Sequence, residues 1–246
     1  LIYFAGMQMD VFVPCYVDQF YPETAKNMVR ILERLGCNIN YNTEQTCCGM
    51  AAYNAGHWDQ AKEVGEKFIT EFSKDRPVVG IGGACTGMVR NDFTKLFHNT
   101  VVHNQCKQLQ KNLLEFTELV SSKLDVGAIQ FRLNANIAWM DACQAQRECG
   151  IFEAPRQLLD RIDGLSWVEL GEQHICCGFG GNYSVRNEEE SIAFGKRKIA
   201  LADSLNIDYL VTTDSSCQLH LESIIKNSSS RVKVLNIIDL LAESMQ

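Results

Sequence analysis

The chain has 246 residues, 46% of them apolar, and a formal net charge of −7, the balance of a soluble globular protein with one large domain or two small ones. The acidic balance and the lack of a long basic run argue against a nucleic-acid or anionic-membrane binder. No stretch approaches about 18 uninterrupted apolar residues and no export leader is visible, so a cytoplasmic protein without a transmembrane segment is expected.

Residues 1–6, LIYFAG, read as a tag remnant ahead of a natural start at Met7, the alternative being a first strand through Ile2, Tyr3 and Phe4. MDVFVP (9–14) is a short apolar run ending at Cys15. In 23–36, Ala25, Met28, Val29, Leu32 and Leu35 share one helical face, and Gly36 is a stop. CNINYN (37–42) reads as a strand. The next helix, 57–72, puts Trp58, Ala61, Gly65, Phe68, Ile69 and Phe72 on one face. PVVGIGG (77–83) is a buried strand running into Cys85, where a helix starts, and 104–124 reads as an amphipathic connecting helix.

From 126 the order recurs. NIAWMD (136–141) leads to Cys143, and PRQLLDRIDG (155–164) is a short helix with Pro155 near its start. LSWVEL (165–170) is a strand, 191–206 a helix, and DYLVTTD (208–214) a strand leading to Cys217. A helix then runs through Ile225, and KVLNIIDLLAE (233–243) closes the chain. The acidic run Glu188–Glu190 reads as a solvated helix start, and Trp58, Trp139 and Trp167 as core residues. Strands alternating with helices imply an α/β fold with parallel sheets. The expectation is two pseudo-symmetric Rossmann-like half-domains, 7–125 and 126–246.

The eleven cysteines are too many for an ordinary domain. Without an export signal, clustered cysteines point to metal or redox chemistry rather than disulfides. Eight of them repeat. Cys15 precedes Cys47-Cys48-Gly49 by 32 positions, and Cys143 precedes Cys176-Cys177-Gly178 by 33. Cys85 follows Cys48 by 37 positions, and Cys217 follows Cys177 by 40. A period of about 130 residues is too long for a solenoid unit and indicates a duplicated half-domain. Cys37, Cys106 and Cys149 lie outside the repeat and read as plain core or surface thiols.

Each repeated cysteine sits at or just past the C-terminal end of a predicted strand, where open α/β sheets gather ligands. Three strand-end loops in each half would bring four thiolates together, with helix N-termini nearby to stabilise them. Four thiolates suit a [4Fe–4S] cluster and also tetrahedral zinc; adjacent cysteines lean towards the cluster. His220 is a candidate nitrogen ligand in the second half, set against a structural role. No G-x-G-x-x-G stands between a first strand and helix, and CCGFGG (176–181) has the wrong composition for a dinucleotide.

These motifs resemble the cysteine-rich CCG family, which includes the cysteine-rich subunit of heterodisulfide reductase and the iron–sulfur subunits of glycolate and lactate oxidation systems. CCGMAAYNAG (47–56), GGACTGMVR (82–90), CCGFGGNYSV (176–185) and the opening 11–37 are most similar to the lactate-utilisation iron–sulfur subunits. The resemblance runs from Met7 to about Ala242. It implies iron–sulfur clusters on Cys15, Cys47, Cys48 and Cys85 and on Cys143, Cys176, Cys177 and Cys217. It also implies electron transfer within a complex that oxidises a 2-hydroxy acid. The implied partners are a second, ferredoxin-like iron–sulfur protein and a small third subunit. The family pattern ends in C-x-x-C, but Met88 and His220 stand where the last cysteine of each copy would be. Two clusters, one cluster with a zinc or vacant site, and a cluster shared between halves therefore all stay open. So do a thiol–disulfide redox subunit and a zinc-stabilised scaffold.

Overall fold

In QMDVF, Met9 and Val11 share one face of a strand and Phe12 lies on the other, so apolar residues fall on both faces, as in a strand covered on both sides. A computed structural model of the chain, which describes residues 6–72 and 74–246, places it there as β1 (Gln8–Phe12), buried from Met9 onward. Apart from Gly6, the reading of residues 1–6 lies outside the described residues. The chain turns into α1 (Cys15–Phe20) and α2 (Pro22–Arg34). Pro22 occupies the first turn of α2, where its missing N–H costs nothing, and Gly36, at φ +83°, reverses the chain after it. There follow β2 (Asn38–Tyr41), α3 (Met50–Asn54), α4 (Trp58–Phe72), β3 (Val78–Gly80) and α5 (Gly83–Gly87). A π-helical turn, Met88–Asp92, continues into α6 (Phe93–Phe97), α7 (His103–Asn112), β4 (Leu113–Glu115) and α8 (Phe116–Lys123).

The second half repeats the plan: β5 (Phe131–Trp139), α9 (Cys143–Cys149), α10 (Glu153–Leu159), β6 (Ile162–Glu169), α11 (Asn182–Arg186), α12 (Glu188–Asp203), β7 (Tyr209–Thr212), α13 (Ser215–Ile225), β8 (Lys233–Asn236) and α14 (Ile237–Ser244). The sheets have the same topology, β2-β1-β3-β4 and β6-β5-β7-β8, with every pairing parallel. The expected α/β fold of two matching halves is what the chain adopts.

Four local expectations are corrected. Residues 104–124 are not one helix: Leu113–Glu115 bond to Val78–Gly80 as a fourth strand. Glu115 and Glu118 then form a reciprocal capping box that starts α8. The helix expected to 164 ends at Leu159, and β6 starts at Ile162 because Phe131 and Arg132 pair with Ile162 and Asp163. The helix expected at Cys85 begins two residues earlier. Trp58 is not a core residue. It opens α4 at 59% exposure, stacked on Tyr53, while Ala61, Gly65, Phe68, Ile69 and Phe72 of the same face are buried.

The halves pack by exchanged equivalents. α2 lies on α14 and α10 on α8, and likewise α5 on α9 and α1 on α13. One apolar core crosses between them, uniting Met28, Ile31 and Leu32 of α2 with Ile237, Leu240 and Leu241 of α14. Smaller clusters back the outer face of each sheet. This pseudo-twofold arrangement sets α1, α5, α9 and α13, the helices at the C-terminal edges of the sheets, against one another.

Candidate functional site

In each half the middle strands, β1 and β3 or β5 and β7, are where the strand order reverses, leaving a crevice beyond their C-terminal ends. Cys15 and Cys143 are the first residues of α1 and α9; Cys85 and Cys217 are the third residues of α5 and α13. The CCG loops follow β2 and β6. Gly49 and Gly178 have φ values of +80° and +100°, which L side chains rarely adopt. A Cβ on Gly178 would stand 2.4 Å from the Ser191 carbonyl. Glycine is therefore what lets the second loop lie flat on α12.

The topology gathers all eight repeated cysteines into two matching chains of thiols. In the first half Cys47 Sγ lies 3.9 Å from Cys15 Sγ, and Cys48 and Cys85 line the same cavity. In the second, Cys143 to Cys176 is 3.5 Å and Cys177 to Cys217 is 3.0 Å, two pairs joined by the adjacency of Cys176 and Cys177 in the chain. All eight are free thiols. The Gly49 and Gly178 N–H groups each donate to the sulfur two residues back, at 3.4 Å. Cys48, Cys85, Cys177 and Cys217 are buried, and Cys15 is exposed.

The electrostatics repeat as well. Hydrogen bonds from Cys15 and Cys48 hold the Cys47 thiol far below its ordinary value, and Cys143 and Cys177 do the same for Cys176. Those bonds, with burial, push Cys15, Cys48, Cys143 and Cys177 far up. For Cys217 the bond to Cys177 lowers the value, but burial and the negative neighbours Asp214 and Cys176 leave it raised. Thiols packed this closely oppose one another's ionisation. The charge of a bound metal relieves that opposition, because a metal-bound thiol is deprotonated outright.

The donor set, four repeated cysteines in each half, fits a thiolate-held metal or iron–sulfur centre. A single tetrahedral ion with bonds of about 2.3 Å needs its sulfurs mutually close. Among the described residues, no group of three or more Cys, His, Asp or Glu is placed to hold one. Thr46 Oγ1, beside Cys47, is buried without a hydrogen-bond partner and lines a cavity with Cys15 and Cys47, a spare donor for sulfur. His220 Nε2–H donates to the Ser191 carbonyl at 3.2 Å, and its ring lies against Phe179, so that nitrogen already has a partner. Met88 is packed in the core with Cys48 and Cys85. Cys37 and Cys106 are buried, and Cys149 donates to the Gly83 carbonyl at 3.5 Å.

Four residues are missing from the sequence reading. Gln45 Oε1 accepts the Val13 N–H at 2.8 Å, and Gln173 Oε1 accepts the Asp141 N–H at 2.9 Å, each tying a CCG loop to the loop of the first cysteine. The dipeptide Glu-Gln just before both cysteine pairs, at 44–45 and 172–173, is the signal that marks them. Lys198 is fully buried above the second site and donates to the Glu172 carbonyl at 2.7 Å; burial lowers its ordinary value. Asp214 lines the first-site cavity although it belongs to the second half.

Comparison with known proteins gives one family. The model of the CCG cysteine-rich domain matches residues 9–90 and again 137–222. The chain is 32% identical to Lactate utilization protein A of Geobacillus kaustophilus over 236 residues, covering 96% of this chain and 98% of the relative. It is 30% identical to the protein of that name from Bacillus subtilis, covering 96% and 99%. Among solved structures, a hypothetical protein from Helicobacter pylori superposes with a TM-score of 0.65 at 11% identity, over 96% of this chain and 48% of that one; this likeness concerns the fold alone.

Proposed function

The chain belongs to the CCG cysteine-rich domain family, two copies in tandem, and on that footing we propose that it is the iron–sulfur electron-transfer subunit of a complex oxidising L-lactate to pyruvate. Support comes from relatives named Lactate utilization protein A that align over nearly the whole chain. The observation that carries the reading is the pair of matching four-thiol chains at the sheet edges. In this reading Cys15, Cys47, Cys48 and Cys85 hold one site, and Cys143, Cys176, Cys177 and Cys217 the other. A bound [4Fe–4S] cluster supplies one-electron storage.

The protein's own residues do the rest. The Gly49 and Gly178 N–H groups donate to ligand sulfurs and spread their negative charge, which tunes a potential. Burial of Cys48, Cys85, Cys177 and Cys217 keeps water from the inner side of each site, while exposed Cys15 marks where an electron enters or leaves. The substrate chemistry belongs to partner subunits, a ferredoxin-like iron–sulfur protein and a small third protein.

The test is purification without oxygen, with iron, acid-labile sulfide and zinc counted per chain alongside the visible spectrum. About four to eight irons with matching sulfide are expected, and the count separates one site from two. Zinc with no sulfide withdraws the electron-transfer role and leaves a scaffold.

A further inference from the structure

The last cysteine of each half follows a short loop after the third strand. In the second half that loop contains Asp214, which is buried. Its Oδ1 accepts the Ser216 N–H at 3.0 Å and the Ser216 hydroxyl at 2.6 Å, and so caps α13, the helix of Cys217. Its Oδ2 leaves its own half and accepts the Ala84 N–H at 3.1 Å, the residue before Cys85. The equivalent position in the first half is Gly82, and a Cβ there would stand 3.2 Å from Asp214 Oδ2. Glycine on one side thus leaves the space that the carboxylate from the other side fills. Among the described residues no Lys, Arg or His forms an ion pair with this carboxylate. The carboxylate stands beside both sites: it lines the cavity of Cys15, Cys47, Cys48 and Cys85, and it caps the helix that carries Cys217.

We propose that Asp214 is a positioning residue that couples the two sites, one carboxylate oxygen fixing the backbone that carries Cys217 and the other, across the halves, the backbone that carries Cys85. The two centres then share a mechanical restraint and a common charge. Asparagine can keep only one of the two bonds. Its amide oxygen can cap Ser216, as Asn236 Oδ1 caps Ile238 N in α14, leaving an NH₂ group towards Ala84 N–H. The mechanical arm of the test is independent of the electron-transfer reading; the charge arm rests on it.

On the full chain purified without oxygen, the alkylation rates of Cys85, Cys217 and the core thiol Cys106 are followed by peptide mapping in wild type and Asp214→Asn. Cys85, in the half that was not altered, is expected to react several-fold faster, with Cys106 unchanged. A Cys85 rate equal to wild type overturns the proposal, as does equal acceleration of all three thiols, the mark of general loosening. Spectroelectrochemistry of the same samples reads the charge. Loss of a negative charge favours the reduced, more negative centre, so both midpoint potentials are expected to rise. A rise confined to one site overturns the shared charge. A chain with no redox-active centre would defeat the electron-transfer reading while the alkylation result still decided the role of Asp214.

Discussion

Gln45 and Gln173 make the same two attachments in the two halves. Each side-chain oxygen accepts an N–H from the loop before the first cysteine, Val13 at 2.8 Å and Asp141 at 2.9 Å. Each amide nitrogen reaches a strand carbonyl, Val11 at 3.5 Å and Trp139 at 2.9 Å. Replacing either by alanine leaves a partly buried N–H unpaired, at a cost of about 1–2 kcal/mol. Gln45→Ala should lower the unfolding free energy measured in urea by that amount and speed iron release to a chelator from the first site alone. Gln173→Ala should do the same at the second.

Cys48 and Cys177 are the buried members of the two adjacent cysteine pairs, and Cys177 Sγ lies 3.0 Å from Cys217 Sγ. Cys48→Ser and Cys177→Ser should each lower iron by about one site's worth and cut electron flow through the assembled complex. Iron assay of single and double variants checks this. Unchanged iron in both single variants would sink the ligand assignment.

Glu115 caps α8 from a fully buried position, accepting from Thr117 N at 2.7 Å and Thr117 Oγ1 at 2.5 Å. Burial pushes its carboxyl up to about 7 from 4.5. The folded state therefore binds a proton that the unfolded chain releases, and stability falls as pH rises from 4.5 to about 7, then levels. The size is on the order of 3 kcal/mol. Glu115→Gln has no such proton to lose; the corresponding cap in the second half, Asn236, is already a neutral amide. Urea unfolding at pH 5 and pH 8 should show the variant gaining on wild type at the higher pH.

Arg156 joins Asp141 at 2.8 and 3.0 Å and Glu169 at 2.7 and 3.0 Å, and its guanidinium lies over the Phe152 ring. Asp141, which also accepts from Trp139 Nε1 at 2.8 Å, stands two residues before Cys143. Arg156→Met strands a buried carboxylate and should cost about 3–5 kcal/mol, read by thermal or urea unfolding. Loosening of the Asp141 loop should lower metal retention at the second site before the first. The double change Arg156→Met with Asp141→Asn should recover part of the stability.

The alternation of strands and helices outside residues 104–124, the duplication and the eight repeated thiols were legible in the chain alone. Periodicity reports which face is apolar, and the spacing of C…CCG…C survives in linear form because each cysteine follows its own strand. The glutamines at 45 and 173 were visible as a repeated Glu-Gln, but their role is a bond to a loop about 30 residues away. Tertiary structure decided what depends on lateral or distant partners. Leu113–Glu115 is a strand only because β3 lies beside it, since three residues carry too little periodicity to separate strand from helix. Trp58 shares the apolar face of α4 yet begins the helix, beyond the neighbours that bury Ala61 and Phe68. The crossing of Asp214 to Ala84 joins positions 130 residues apart. No local pattern encodes that bond, because it exists only where packing of the two halves shuts water out and brings a free carboxylate oxygen to an unpaired N–H.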